Sequence, residues 1–213
     1  MPVVADQTTE IQANATLHSL LAKAFNYPDK QLVGSIASGE LQKTLSHCLK
    51  ETGRDRAAKE LLSLKPVPKT AQRKLLLELE KDYTWLFFAS KPRCAYLFES
   101  VYREGKLLQD STFDIASLYR DAGLVLNDDF RLPPDHIAVE LEFLSFLFFK
   151  ELEGHKKQKP DVIEYAQELQ AKVAEGHLRR FANDLGTRVA QHAKTPFYRT
   201  MANVLRELYP AGK

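Results

Sequence analysis

The segment Leu132-Pro-Pro-Asp-His-Ile-Ala-Val-Glu-Leu-Glu-Phe-Leu-Ser-Phe-Leu-Phe-Phe149 limits the choice of folds more than any other part of the chain. Its two prolines suit a helix start, where a missing N–H costs nothing, and Asp135 in the first turn would favour the positive end of the helix dipole. At about 100° per residue, Ile137, Leu141, Leu144 and Phe148 form one apolar stripe, and Val139, Phe143, Phe146 and Leu147 form another on nearly the opposite side. A helix apolar on two sides belongs between other helices. Its polar end, Asp135, His136 and Glu140, is expected to stay near water and is the leading candidate for a site.

The rest of the chain supplies those other helices. Thr9 and Gln12 have the spacing of a capping box ahead of Ile11, Ala15, Leu17, Leu20, Leu21, Ala24 and Phe25, a first helix that should end near Tyr27-Pro28. Short helices follow around 29–37, from Leu41 to Gly53, and from Arg54 to Leu64. Thr70 is placed to cap the next, through Leu75, Leu79, Tyr83, Leu86 and Phe87. Residues 90–102 hold Pro92 and several aromatics without a helical period, which predicts an ordered loop. Further helices are expected from Ser111 to Gly123, from Pro160 through Val173, from Gly176 through Val189, and after the Thr195-Pro196 cap. Strict alternation and Asn-Gly or Asp-Gly hairpin signals are missing. The prediction is an all-α chain, a single globular domain over 1–213 with about ten helices around the central one, and a possible hinge at 154–160, where Lys156-Lys-Gln-Lys-Pro160 is the most polar break.

Composition excludes several classes. Thirty basic and 28 acidic residues leave a formal charge of only +2, so no net field draws nucleic acid or an anionic membrane. Cys48 and Cys94 match no zinc or redox spacing, which suits a reducing compartment. No stretch nears the ~20 apolar residues that span a bilayer, and the first ten residues have no basic group and no apolar core of an export signal. The expectation is a cytoplasmic protein without membrane insertion. No phosphate-binding glycine loop, His-Glu-x-x-His or Gly-x-Ser-x-Gly occurs, so no cofactor, metal or nucleophile is predicted. His136 and Glu140 share a helical face but are two ligands at most. They are either a solvated pair or an acid and base.

Three segments form a pattern beyond periodicity. They are Tyr83-x-x-Leu86-Phe87, followed by a proline-containing loop and Phe98-Glu-Ser-Val-Tyr102; Pro134-Asp-His-Ile-x-x-Glu140-Leu-Glu-Phe143; and His177-Leu with Phe181 and Val189, then Thr195-Pro-Phe-Tyr-Arg-Thr-Met-Ala202. In order and spacing the chain resembles the TorD and DmsD family of cytoplasmic chaperones of molybdoenzyme maturation, over roughly residues 80 to 205. It departs from the family pattern at Arg131-Leu132, where a glutamate is common, and at Phe181, where an aromatic such as Trp is usual.

The resemblance implies an all-helical chaperone, not an enzyme, that binds the twin-arginine signal peptide of a molybdopterin-containing oxidoreductase and protects the apoenzyme until cofactor insertion, before export. It also implies weak guanine-nucleotide binding and either a monomer or a domain-swapped dimer. Two guanidinium groups followed by an apolar run call for carboxylates beside an apolar surface. Asp128, Asp129, Asp135 and Glu140 are candidates for the first, with His136 beside them, and Tyr83, Leu86, Phe87, Phe98 and Tyr102 for the second. Asp135 has the alternative of being only a helix cap, and the aromatic set of being core. A small helical enzyme using His136 and Glu140, or a helical adaptor, are the competing functions.

Overall fold

Eleven α-helices form among the described residues: α1 (Val3–Phe25), α2 (Lys30–Ser38), α3 (Glu40–Glu51), α4 (Asp55–Glu60), α5 (Gln72–Thr84), α6 (Glu99–Arg103), α7 (Asp110–Asp121), α8 (Ile137–Lys157), α9 (Pro160–Val173), α10 (Arg179–His192) and α11 (Pro196–Leu208). The structure is a computed structural model that describes residues 3–125 and 132–211. One π-helical turn, Trp85–Ala89, prolongs α5, and another, Ala174–Leu178, joins α9 to α10. No strand forms among the described residues, and the only strand-like pairing there is an isolated antiparallel bridge between Phe98 and His136. None of these helices is long and apolar enough to cross a membrane.

The doubly apolar helix is α8, which packs between α1 and α9. Ile137, Leu141 and Leu144 are buried on one side, Phe143 and Leu147 on the other. Its one small polar core residue, Ser145, donates to the Ala15 carbonyl of α1 at 2.8 Å, so its hydroxyl costs little to bury. Helix α8 outruns its expected end at Glu153-Gly154. Glycine stands at 154 because α9 passes close: a Cβ there would lie 2.8 Å from Ile163 Cγ1. The helix closes at Gln158, in the left-handed region at φ 53°, with Lys159 N–H donating to Gly154 O at 2.9 Å, and Pro160 opens α9. The segment expected to hold a hinge is thus a tight αα-turn.

Elsewhere α1 begins at Val3, so the Thr9–Gln12 pair lies inside the helix rather than at its start. Thr70 falls in a 3₁₀ turn, Lys69–Ala71, and caps nothing. The predicted loop 90–102 is ordered but hides the start of α6, which is too short to show a period. Asp29 and Thr195 do cap α2 and α11, accepting from Leu32 N and Tyr198 N.

Candidate functional site

The starts of α6 and α8 are joined. Glu99 N–H donates to Asp135 O at 2.9 Å and Ile137 N–H to Leu97 O at 2.8 Å, on either side of the Phe98–His136 bridge. Phe98 sits at the N-cap of α6 and has no side-chain oxygen to offer, so the cap comes from a distant residue: Asp135 Oδ2 accepts from Ser100 N–H at 3.0 Å. His136 is the N-cap of α8, its Nδ1 accepting from Ala138 N–H at 3.1 Å, which leaves the ring proton on Nε2. Its ring meets that of Phe98 edge-on, centroids 5.3 Å apart. Burial lowers its pKa to about 4, with the Asp135 charge acting the other way.

Behind this junction lie three fully buried carboxyl groups, Glu99, Asp135 and Glu140. Glu99 accepts from Arg103 Nη1 at 2.9 Å through one oxygen and pairs with His177 Nδ1 at 2.8 Å through the other. Arg103 Nη1 also donates to Gly176 O at 3.0 Å. Asp135 Oδ1 and both Glu140 oxygens meet no hydrogen-bond partner among the described residues. Burial pushes the Glu140 carboxyl well above the usual range, the charges of Glu99 and Asp135 add to this, and Arg103 opposes it. Burial thus favours the protonated form of Glu140 over the carboxylate. Tyr119, whose hydroxyl donates to Pro134 O at 2.7 Å, closes the cluster from α7.

The predicted apolar set divides. Tyr83, Leu86 and Phe87 are core. Tyr83 meets Phe87 at 4.8 Å and Tyr27 at 5.3 Å, edge-on in both cases. Just before it, buried Asp82 anchors the cap residue of α11, accepting from Thr195 N–H and Oγ1, both at 2.7 Å, and from Lys194 N–H. Lys194 Nζ stands 3.9 Å over the Trp85 ring, and Trp85 and Phe88 form an exposed aromatic edge, 37% and 53% accessible. Tyr102 is half-buried against Phe181, centroids 5.3 Å apart. With Tyr96, Val101, Asp184, Arg188 and His192 it lines a cleft of about 590 Å³.

Phe98, Asp135, His136 and Glu140 thus come together, Tyr102 lines its own cleft, and Tyr83, Leu86 and Phe87 support a different corner. The polar end of α8 is not near water as expected. Asp135 precedes the helix and is consumed in capping α6, and Glu140 turns inward from its first turn. No hydrogen bond joins His136 to Glu140, so the acid–base pair is not assembled. Asp128 and Asp129 lie outside the described residues. Sequence reasoning missed Glu99, Arg103 and Asp82 as site residues and treated His177 only as part of a pattern. The Glu99–Arg103 spacing of four was a helix signal that began inside the stretch read as loop and ended just past it.

Residues 49–186, which include the whole carboxyl cluster, match the family described as nitrate reductase delta subunit. The chain belongs to that family. Among family relatives, the chaperone protein TorD of Escherichia coli O7:K1 (strain IAI39 / ExPEC) is 30% identical over 149 residues, 69% of this chain and 71% of that protein. The chaperone protein TorD of Salmonella paratyphi B (strain ATCC BAA-1250 / SPB7) is 35% identical over 83 residues, 39% of this chain and 37% of that one. A chain described as a redox enzyme maturation protein from Archaeoglobus fulgidus has the same fold, with a TM-score of 0.51 and 23% identity over 91% of each chain. This family member is a chaperone of molybdoenzyme maturation and not an enzyme.

Proposed function

We propose that the chain binds, in the cytoplasm, the twin-arginine signal peptide of a molybdopterin-containing oxidoreductase and holds the apoenzyme until its cofactor is inserted, before export. The observation that carries this reading is the junction of α6 and α8, where three carboxyl groups are buried together and the one guanidinium bonded there reaches only Glu99. Such a cluster suits a peptide whose recognition signal is a pair of guanidinium groups. The exposed edge of Trp85 and Phe88 and the ring of Tyr102 are available to the apolar run that follows the arginines. In this arrangement Phe98, Asp135 and His136 fix the two helix starts with Glu140 buried behind them, while Tyr83, Leu86 and Phe87 hold the aromatic edge in place. The chaperone needs no cofactor of its own.

Calorimetric titration of the full chain with leader peptides from molybdoenzymes of the same genome tests the reading. The Arg-Arg peptide should bind at least about tenfold, or ~1.4 kcal/mol, more tightly than its Lys-Lys variant. Trp85 is the single tryptophan, so its emission offers an independent readout. Equal affinities, or no binding of any leader, would reject the assignment.

A further inference from the structure

Arg103 is the one guanidinium bonded to the buried cluster among the described residues, and it reaches in from the surface. Its side chain is 40% exposed, yet its Nη1 bonds a Glu99 carboxylate that is fully buried. Nearer solvent, Glu104 Oε1 stands 3.9 Å from Nε, its other oxygen accepts from Ser111, and the charge of Asp114 also acts on the guanidinium. Carboxylates therefore flank the Arg103 side chain at both its buried and its exposed end. A guanidinium carries five N–H donors, and Arg103 commits Nη1 to Glu99 and the exposed Gly176 carbonyl while making no other short bond. Beside it, Asp135 Oδ1 and both oxygens of Glu140 are buried without partners. Asp135 Oδ1 in particular is acceptor capacity that Arg103 does not use.

We propose that Arg103 is a placeholder: its guanidinium occupies the seat on Glu99 in the free chaperone and gives it up to an arginine side chain of the bound peptide. The inference rests on the leader-peptide reading for its ligand, but the seat can be tested without a peptide. A buried carboxylate stripped of its partner is costly, so an internal guanidinium keeps the empty site folded. The same contact competes with the client and lowers its apparent affinity by the fraction of time the seat is filled. It also favours arginine over lysine, since an ammonium is a point charge without the planar fork.

The test uses the full chain carrying Arg103→Ala, with methylguanidinium as the probe. The variant should melt below the wild type. Millimolar methylguanidinium should raise its melting temperature saturably, methylammonium should not, and the wild type should not respond. An Arg-Arg leader peptide should bind the variant more tightly than the wild type, by about tenfold. Absence of saturable rescue overturns the placeholder, as does weaker peptide binding to the variant, which would make Arg103 an ordinary structural ion pair. Rescue with no leader bound by either protein rejects the leader-peptide reading and leaves the guanidinium seat standing. Should Arg103→Ala fail to fold, Arg103→Lys keeps a cation on Glu99 that an arginine displaces more readily. Tighter Arg-Arg peptide binding to that variant is required, and unchanged or weaker binding overturns the proposal.

Discussion

Glu140 holds its proton more tightly in the folded chain than in the unfolded one, because water is excluded and two acidic neighbours stand close. The unfolded chain releases that proton above the ordinary value of 4.5, whereas the folded chain retains it well beyond. Stability therefore falls with rising pH from about 4.5 up to the folded value, by about 1.4 kcal/mol per pH unit from this group. Glu140→Gln keeps the shape and removes the titration. Urea midpoints of the two proteins should diverge above pH 4.5 in the variant's favour, and parallel profiles would count against a neutral Glu140. His136 has the opposite sign, since its pKa falls from 6.5 to about 4 on folding. Its contribution is complete above 6.5 and is lost as pH drops toward 4. His136→Asn preserves a cap acceptor without a titrating ring, so it should lose less stability than the wild type across that window, as read by thermal melts. Asp135→Ala removes the borrowed cap of α6 and should cost about 1–2 kcal/mol in chemical denaturation, with Asp135→Asn recovering most of it.

Between elements, α10 lies close against α11 at Gly186. A Cβ on Gly186 would stand 2.9 Å from Ala202 O and 2.7 Å from Arg206 Cγ, and the first of these is backbone that cannot step aside alone. Gly186→Ala should therefore destabilise by about 1–3 kcal/mol in a denaturant titration, while an unchanged midpoint would mean that the two helices separate freely. At this scale much was legible in the sequence. The two stripes of α8 announced a buried helix, and Pro160 and Thr195-Pro196 marked true helix starts. What escaped were features whose cause lies far away in the chain. Asp135 read as part of α8 because its partner, Ser100, stands 35 positions earlier. The polar end of α8 read as solvated because residue types alone do not reveal that α6 and α7 cover it. Asp82 looked like any acid on a surface helix, yet it holds the cap residue of α11 from 113 positions upstream. Helix α6 has five residues, fewer than two turns, and gives no periodicity to detect.

Across the whole molecule, the first helix and the last turn hold one another. His18 Nδ1 lies 2.7 Å from Asn14 O and its Nε2 lies 2.8 Å from the Tyr209 hydroxyl, so the ring donates within α1 and accepts from Tyr209. The Tyr209 carbonyl in turn accepts from Asn183 of α10 at 2.9 Å. Tyr209→Phe leaves a buried imidazole nitrogen without its donor, which should cost about 1–2 kcal/mol and appear as a lower melting temperature. The carboxyl cluster has the same long-range character. Glu99 needs His177, 78 positions later, and α6 needs Asp135. No nascent or clipped copy missing either stretch can assemble the buried carboxyl cluster. Its presence is thereby a certificate of the chain's own completed folding.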